Sequence, residues 1–239
     1  MSQHHLQVCD SPEELARRCA QEIASAIDQA LAVRDRVQIA LAGGETPKTA
    51  YVALARQHLP WDRVDVLLGD ERWVPADDPS SNARMLRETL LAPGEPAAAA
   101  CFHPVPTDRS EPAASAQAYA QMLETICPGS PPQLDLALLG LGDDGHTASL
   151  FPGTAAPGVS DQWATIGEGK GLPRVTLTAP VLSAARRVVF VVSGANKAQA
   201  LRRLLDPAED PARTPARLIQ PAHAVLVLAD TAAASDLAG

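Results

Sequence analysis

The sequence predicts an α/β fold, in which a mostly parallel sheet carries helices on both faces within a single domain. Short, predominantly apolar segments alternate along the chain with longer segments of helical periodicity. This alternation is typical of parallel strands that are buried on both faces. The connections between the segments are too short for a second independent domain, so one domain is predicted to span residues 1–239.

Apolar, often β-branched runs mark the strands. The predicted strands are Val37–Leu41, Val64–Leu68, Leu134–Leu139, Arg174–Thr178, Val188–Val192 and Ala224–Leu228, with a further short strand within Cys101–Val105. In such folds, ligands collect beyond the carboxyl ends of the strands. The polar clusters that follow these strands are therefore the candidate functional sites.

Helical spacing of apolar residues fills the segments between the strands. The first predicted helix, Ser11–Arg34, opens with Ser11 as its N-cap and Pro12 at its first position. The other predicted helices are Pro47–His58, Ser81–Leu91, Glu111–Ile126 and Asn196–Leu205. His4 and His5 are predicted to lie in a disordered N-terminal tail.

Charge and hydropathy exclude several classes of partner. The formal net charge is −8 and no window is a basic run, so a nucleic-acid partner is not expected. No apolar run approaches the roughly 20 residues that a membrane-spanning helix needs, and the amino-terminal segment has no apolar signal core. We expect a soluble cytoplasmic protein without membrane association, either a monomer or a weak homo-oligomer.

The four cysteines are scattered along the chain and form no Cys-x-x-Cys pair. They are Cys9, Cys19, Cys101 and Cys127. This spacing indicates neither a disulfide framework nor a zinc site. Because cysteine is among the most buried residue types, all four are expected to be buried or half-buried thiols. No metal and no cofactor is expected.

A glycine-containing loop follows the first predicted strand, over Leu41–Lys48. Gly43 and Gly44 allow the backbone to bend tightly and to turn its amides toward an anion, and the helix N-terminus adds roughly half a positive charge. Thr46 can add a hydroxyl donor. The loop matches neither common phosphate-binding glycine pattern, so an ordinary strand-to-helix turn is an equal alternative.

Three adjacent charged residues, Asp70, Glu71 and Arg72, follow the second predicted strand directly. Charges at this position are poorly explained as solvated surface groups, because the preceding strand is buried. A structural ion-pair network at the strand end is the alternative to a functional site. Ser81 and Asn82 follow a loop rich in proline and aspartate.

The most informative segment is Gly140–Gly153, which contains His146 in a glycine-lined loop directly after a buried strand. Imidazole can take a proton from water near neutral pH, and a neighbouring carboxylate can hold its tautomer and stabilise the imidazolium. Asp143 and Asp144 both lie close enough in sequence to serve as that carboxylate. The pattern predicts that His146 is catalytic.

Two further cations lie near predicted strands. Arg174 begins one strand, and Lys197 begins the helix after another. A cation at a helix N-terminus is unfavourable because the helix dipole opposes it, and a bound phosphate would remove the conflict. The alternative is that Lys197 is simply exposed to water.

Together these segments resemble the 6-phosphogluconolactonase family, which shares its fold with glucosamine-6-phosphate deaminases and, more distantly, ribose-5-phosphate isomerases. The resemblance runs from about Val8 to Asp230, with the motifs in family order, and so implies a core at about 8–230. The most specific motifs are Gly69–Pro75, followed by Ser81 and Asn82, and Leu138–Gly153.

The resemblance implies roles for individual residues. His146 matches the catalytic histidine of the family, with Asp144, Arg72 and Asp70 as further catalytic residues. The residues implied to bind the substrate and its phosphate are Gly43, Gly44, Thr46, Glu71, Arg174 and Lys197.

At two positions the sequence differs from related patterns. Glu45 lies where the family often has serine, which puts an anion in the phosphate loop, where it either points away or weakens binding. Related deaminases carry a glutamate seven positions after the motif aspartate, and here that position, counted from Asp144, is Phe151. Deamination and isomerisation need that additional acid–base group, so Phe151 favours lactone hydrolysis.

The resemblance therefore implies hydrolysis of 6-phospho-D-glucono-1,5-lactone to 6-phospho-D-gluconate, the second step of the oxidative pentose phosphate pathway. His146 is expected to act as the general base that activates water, without a metal. An amino-sugar-phosphate deaminase or isomerase is the first alternative, and a non-catalytic sugar-phosphate sensor is the second. The chain has no spare length or basic helix for the DNA-binding domain that such sensors usually carry.

Overall fold

The computed structural model of the chain describes residues 3–237, which contain ten strands and six α-helices. The strands are β1 (His4–Cys9), β2 (Val37–Leu41), β3 (Val64–Leu68), β4 (Asp70–Arg72), β5 (Cys101–Phe102), β6 (Leu136–Gly140), β7 (Ala164–Gly169), β8 (Leu172–Leu177), β9 (Val188–Val192) and β10 (Val225–Asp230). The helices are α1 (Pro12–Leu31), α2 (Glu45–Ala55), α3 (Asn82–Glu88), α4 (Pro112–Ile126), α5 (Ala179–Ala184) and α6 (Ala198–Leu205).

Seven strands form a parallel sheet in the order β1-β10-β9-β6-β2-β3-β5. Every residue of β2, β3 and β9 is buried, as expected for strands that are covered on both faces. The predicted α/β fold is therefore confirmed: one domain with a mostly parallel sheet and helices packed against it.

Helix α1 shows how the sequence produces this packing. Ser11 accepts a hydrogen bond from the backbone N–H of Glu14, which caps the helix as predicted. Leu15, Ile23 and Ile27 share one face and are fully buried. Burial of each such aliphatic side chain contributes about 1.5–3 kcal/mol, so this face fixes the helix on the sheet. Within the described part of the chain, every helix is too short or too polar to span a bilayer.

A second sheet was not expected from the sequence. Its three strands have the order β4-β8-β7 and all pair antiparallel. The segment Asp70–Arg72 was predicted to follow a strand, but it is itself a short strand paired with β8. Strand β7 lies in a segment that was not assigned to any element, because its glycines and mixed polarity hide its period.

Several boundaries also differ from the prediction. His4 and His5 do not belong to a disordered tail, because they form the start of β1, which pairs with β10 at the edge of the large sheet. Helix α2 begins two residues before Pro47, and α5 was not predicted. The helix expected from Asn196 begins with a 3₁₀ turn over Ala195–Lys197, which leads into α6.

Candidate active site

The predicted functional residues converge on one cavity of about 340 Å³ at the carboxyl ends of β2, β3, β6 and β9. This is the place where parallel α/β sheets collect ligands. The predicted residues that line it are Gly43, Gly44, Thr46, Asp70, Arg72, His146, Arg174 and Lys197. Asp144 and Glu71 lie behind this lining.

A tight loop after β6 presents His146 to the cavity. The backbone N–H of Gly142 donates to the carbonyl oxygen of His146 at 2.8 Å, and Gly145 has a φ of 93°, in the region that favours glycine. A Cβ atom at position 142 would lie 2.0 Å from Nδ1 of His146. Glycine at 142 is therefore required for the imidazole to occupy this position.

Asp144, not Asp143, is the partner of His146. Its Oδ1 atom lies 2.5 Å from Nδ1 of His146 and also accepts the backbone N–H of His146 at 3.0 Å. Asp143 instead lies 3.6 Å from Nζ of Lys170. Because an ionised carboxylate can only accept, Nδ1 carries the ring proton, and Nε2 keeps the lone pair that can receive one.

The pKa values of this pair suit proton transfer at neutral pH. Burial lowers the pKa of His146 below its usual value and outweighs the opposing effect of Asp144. Burial alone would raise the pKa of Asp144, but hydrogen bonds from the backbone and ring of His146 hold it below its usual value. At neutral pH the pair is therefore a neutral imidazole beside a carboxylate, which is the form of a general base.

Phe151 packs against the same imidazole, with ring centroids 4.3 Å apart, and is buried. The guanidinium carbon of Arg174 also lies over the Phe151 ring, 5.4 Å from the centroid of that ring. The position at which related deaminases carry a carboxylate is thus occupied by an apolar ring. No acid–base group is supplied to the cavity from residue 151.

Asp70 lies in the cavity wall as part of a buried network. Its Oδ2 atom accepts the hydroxyl of Ser149 at 2.5 Å and lies 3.5 Å from Nη1 of Arg174. The side chain of Asn82 donates to the backbone carbonyl of Asp70 at 2.9 Å. Burial lowers the pKa of Arg174. The network holds Asp70 and Arg174 in fixed positions beside the histidine loop.

The prediction that Glu71 binds substrate is corrected by its position. Glu71 is only 1% exposed and does not line the cavity. One carboxylate oxygen accepts the backbone N–H of Ala83 and the hydroxyl of Ser81, and the other accepts two further backbone N–H groups. Burial raises its pKa despite these four bonds. Glu71 therefore holds the N-terminus of α3 against β4 and is shielded from any ligand.

Arg72 alternates to the opposite side of β4 and lines the cavity. Its Nη1 atom donates to the backbone carbonyl of Ser80 at 2.5 Å, which fixes the direction of the side chain. The charged residues after β3 thus divide into two groups: Asp70 and Arg72 line the cavity, while Glu71 supports the structure behind it.

The loop after β2 places backbone amides at the N-terminus of α2. Gly44 is the N-cap residue and has a φ of 110°, which favours glycine. A Cβ atom at Gly43 would lie 2.0 Å from Oδ1 of Asn82, so the loop packs directly on that side chain. The first amides of α2, at Glu45 and Thr46, have no carbonyl partner within the helix and are free to bind an anion.

Glu45 lies at the solvent-exposed rim of the cavity. Its side chain is 90% exposed, and its carboxylate lies 3.5 Å from Nζ of Lys48 on the next turn. Of the two outcomes that the sequence left open, the structure therefore favours the one in which the anion is directed into solvent.

A second strand-to-helix loop, after β9, carries Lys197. Its Gly194 has a φ of 95°, and Asp230 at the end of β10 accepts the backbone N–H of Gly194 at 3.1 Å and the hydroxyl of Ser193 at 2.5 Å. Asp230 is 2% exposed and also accepts the backbone N–H of Ala233. This buried carboxylate fixes the loop from which Lys197 reaches the cavity.

Charge distinguishes the cavity from the rest of the chain. Four cationic side chains line it, Arg72, Lys170, Arg174 and Lys197, against two carboxylates, Asp70 and Glu45. Whereas the whole chain has a formal charge of −8, the described residues of the cavity wall therefore carry a local charge of +2. Such a surface suits a small anionic ligand.

Comparison with known proteins agrees with this geometry. Residues 10–228 match the family model described as glucosamine-6-phosphate isomerases/6-phosphogluconolactonase. The chain belongs to this family. It is 46% identical over 218 residues to a 6-phosphogluconolactonase of Synechocystis, covering 90% of each chain, and 44% identical over 239 residues to one of Nostoc, covering 97% of this chain and 98% of the relative.

A solved 6-phosphogluconolactonase structure from Trypanosoma brucei superimposes with a TM-score of 0.87 at 30% sequence identity, covering all of both chains. The family resemblance inferred from the sequence motifs is thus confirmed over nearly the whole chain.

Three residues that line or support the cavity were not predicted from the sequence as site residues. Lys170 lines the cavity from the turn between β7 and β8, with a left-handed φ of 54°. Asn82 lines it from the start of α3, and Asp230 supports it from below. Asn82 belongs to a motif that the sequence displayed, whereas Lys170 and Asp230 reach the site only through tertiary packing.

Trp73 and Trp163 lie outside this cavity. Trp73 donates to the hydroxyl of Ser115 at 3.0 Å, and Trp163 donates to the carboxylate of Glu124 at 2.7 Å. Both indoles pack against the core, and Trp163 also lines a separate cleft between α4 and β7.

Proposed function

We propose that this protein hydrolyses 6-phospho-D-glucono-1,5-lactone to 6-phospho-D-gluconate, the second step of the oxidative pentose phosphate pathway, in the cytoplasm. The observation that carries the proposal is the His146–Asp144 pair, whose free ring nitrogen belongs to a cavity lined by four cations. The names of the similar relatives support the same reaction.

The substrate phosphate binds to the loop Gly43–Thr46 and to Lys197. The free amides at the start of α2 donate to phosphate oxygens, and Thr46 adds its hydroxyl. Lys197 supplies a charge at the second loop, where the helix dipole otherwise disfavours a cation. A phosphate between the two loops accepts from the free amides of α2 and neutralises the charge of Lys197. It also orients the lactone ring toward His146.

His146 then takes a proton from water through Nε2, and the water oxygen attacks the lactone carbonyl. Asp144 holds Nδ1–H and stabilises the imidazolium that forms. Because Nδ1 is occupied by Asp144 and one face of the ring by Phe151, the water meets the imidazole only at Nε2.

The tetrahedral oxyanion is stabilised by Arg72, Arg174 or backbone amides of the cavity wall. Donors of this kind are often worth ~3 kcal/mol each in the transition state. Arg174 is held by the Asp70 network and Arg72 by Ser80, so neither has to reorganise as the charge develops. When the intermediate collapses, the ring oxygen leaves as an alcohol and receives its proton from the His146 imidazolium. A lactone is already activated, so no covalent nucleophile is needed.

The alternative enzyme activities receive no support from the cavity. Deamination or isomerisation of an amino-sugar phosphate needs a second acid–base group, and the corresponding position is Phe151, packed on His146. A non-catalytic sensor would not need the Asp144–His146 pair. The monomeric or weakly associating state, and the absence of a metal from the reaction, stay predictions.

The deciding experiment measures hydrolysis of freshly generated 6-phosphogluconolactone, coupled to 6-phosphogluconate dehydrogenase and corrected for spontaneous opening. Wild type, His146→Ala and His58→Ala are compared, since His58 is exposed and outside the cavity. We expect kcat to fall by about 10²–10⁴-fold in His146→Ala and to be unchanged in His58→Ala.

Full activity of His146→Ala would contradict the assignment of His146 as the general base. If the folded wild type does not accelerate hydrolysis of the lactone, the proposed lactonase activity is wrong. In that case, ammonia release from glucosamine-6-phosphate would identify a deaminase instead.

A further inference from the structure

A second group of chemistry-bearing side chains lies on the edge of the large sheet, outside the cavity. Strands β3 and β5 pair so that Asp65 is directly opposite Cys101. His103 follows Cys101 by two residues, and its backbone N–H continues the ladder by donating to Val66. Because side chains alternate along an extended chain, Cys101 and His103 point to the same side as Asp65.

The donor atoms of these three residues are mutually close. A ring nitrogen of His103, Sγ of Cys101 and a carboxylate oxygen of Asp65 all lie within 4.8 Å of one another, and Nε2 of His103 is 2.9 Å from Oδ1 of Asp65. Zinc–ligand bonds of about 2.0–2.3 Å place the donors of a tetrahedral site somewhat more than 3 Å apart. Small side-chain rotations therefore suffice to bring the three donors around one ion.

We propose that Asp65, Cys101 and His103 form a binding site for a divalent transition-metal ion of the zinc type. A thiolate, an imidazole and a carboxylate form a donor set typical of zinc or cobalt, and one that magnesium and calcium do not select. Binding releases the proton of the Cys101 thiol, and one nitrogen of His103 donates its lone pair to the ion.

Exposure makes the site accessible. Cys9, Cys19 and Cys127 are buried as predicted, whereas Cys101 is exposed, so the prediction of a buried or half-buried thiol is wrong for Cys101. His103 is partly exposed and Asp65 is buried, so the group opens to solvent on the thiol side. Three protein ligands leave a fourth position for water or an external ligand, as in zinc sites that are not purely structural.

Neighbouring groups fix the position of the Asp65 carboxylate. Arg36 donates to both oxygens of Asp65, at 2.8 and 2.9 Å, and Gln38 donates to one of them at 3.1 Å. This two-pronged contact with a guanidinium is one that an ionised carboxylate makes. Partners of this kind orient a ligating carboxylate. With Arg36 included, a loaded site carries one net positive charge: +2 from the ion, +1 from Arg36 and −2 from the two anionic ligands.

The site is separate from the cavity in which hydrolysis is proposed. Asp65 is near the amino end of β3, whereas the cavity lies beyond the carboxyl end of that strand, and none of the three residues lines it. Metal binding at the edge and hydrolysis can therefore be measured independently.

The test is a titration of the metal-free protein with Co²⁺, monitored by the near-ultraviolet charge-transfer absorption of a cobalt–thiolate bond. We expect one equivalent of Co²⁺ to bind with this absorption, and Zn²⁺ to abolish it by displacement. Cys101→Ser should lose the band, and His103→Ala should bind at least about 10-fold more weakly. Both substituted side chains are at least partly exposed, and thermal unfolding checks that each variant is folded.

Two further variants act as controls. His58→Ala, which removes another exposed histidine, should bind like wild type, and His146→Ala should keep the band because its histidine belongs to the cavity. Absence of the thiolate band in wild type overturns the proposal, as does its persistence in Cys101→Ser. Equal affinity of His103→Ala and wild type would overturn the assignment of the imidazole.

Discussion

The two sides of the active-site cavity are built in different ways. On the histidine side, His146 is mostly buried and fixed by Asp144, Phe151 and the close approach of Gly142. On the phosphate side, the loop Gly43–Thr46 presents amides and Lys197 a cation, and Gly44 and Glu45 of that loop are exposed.

The difference follows from what each side is proposed to do. Proton transfer needs atoms within a few tenths of an ångström and one tautomer, and burial with fixed partners provides both. A phosphate is bound by the summed attraction of several donors, which tolerates small displacements. Substitutions on the histidine side should therefore lower kcat, and those on the phosphate side should raise KM.

The largest effect should come from Asp144→Asn. The variant loses the carboxylate that fixes the tautomer of His146, so kcat should fall by about 10²–10⁴-fold with little change in KM. The carboxylate also raises the pKa of His146 against the lowering effect of burial. Without it that pKa should fall further, and the acidic limb of the pH–kcat/KM profile should move to lower pH.

The neighbouring variant Asp143→Asn is the matched control, because Asp143 contacts Lys170 and not His146. It should change kcat by less than about threefold, consistent with the small worth of exposed ion pairs. Equal losses in the two variants would contradict the assignment of Asp144.

An intermediate effect is expected for Lys197→Gln. Removing one charged phosphate donor should raise KM about tenfold, which corresponds to about 1.4 kcal/mol, and should leave kcat nearly constant. Steady-state kinetics on the lactone measure both constants. Lys48→Gln, which removes a cation paired with Glu45 outside the cavity, should leave KM unchanged. A fall in kcat without a change in KM would place Lys197 on the reacting side.

The smallest effect should come from Glu45→Gln. The carboxylate is directed into solvent, so its repulsion of the substrate phosphate is screened. We expect KM to fall by about twofold or less at low ionic strength and to match wild type at high salt. A tenfold fall in KM would show that Glu45 turns toward the bound phosphate.

How far the sequence predicted the fold depends on the type of strand. Strands such as Val188–Val192 are apolar throughout and were placed correctly, because burial on both faces leaves a continuous signal. The edge strand His4–Cys9 is half exposed, and Asp70–Arg72 consists of charged residues. Neither carries a hydrophobic period, and each is held in place by pairing with a distant strand.

The same reasoning explains which site residues were found. His146 and Asp144 lie two positions apart, so local chemistry predicted the pair and the structure only had to exclude Asp143. Glu71 was assigned to the substrate because Asp70–Arg72 was not predicted to be a strand, so the alternation that turns Glu71 away from the cavity was not foreseen. Lys170 lines the cavity from the turn after β7, and Asp230 at the end of β10 fixes the loop that carries Lys197. No local pattern links either residue to His146.

The positive charge of the cavity wall also bears on how a turnover ends. Ring opening converts a neutral ester into a carboxylate, so the molecule that leaves carries one more negative charge than the molecule that entered. The four cations that draw substrate in would retain this product, but the chain as a whole has a formal charge of −8 and Glu45 lies at the cavity rim. Attraction inside and repulsion outside oppose each other, and the balance between them sets how quickly the product escapes.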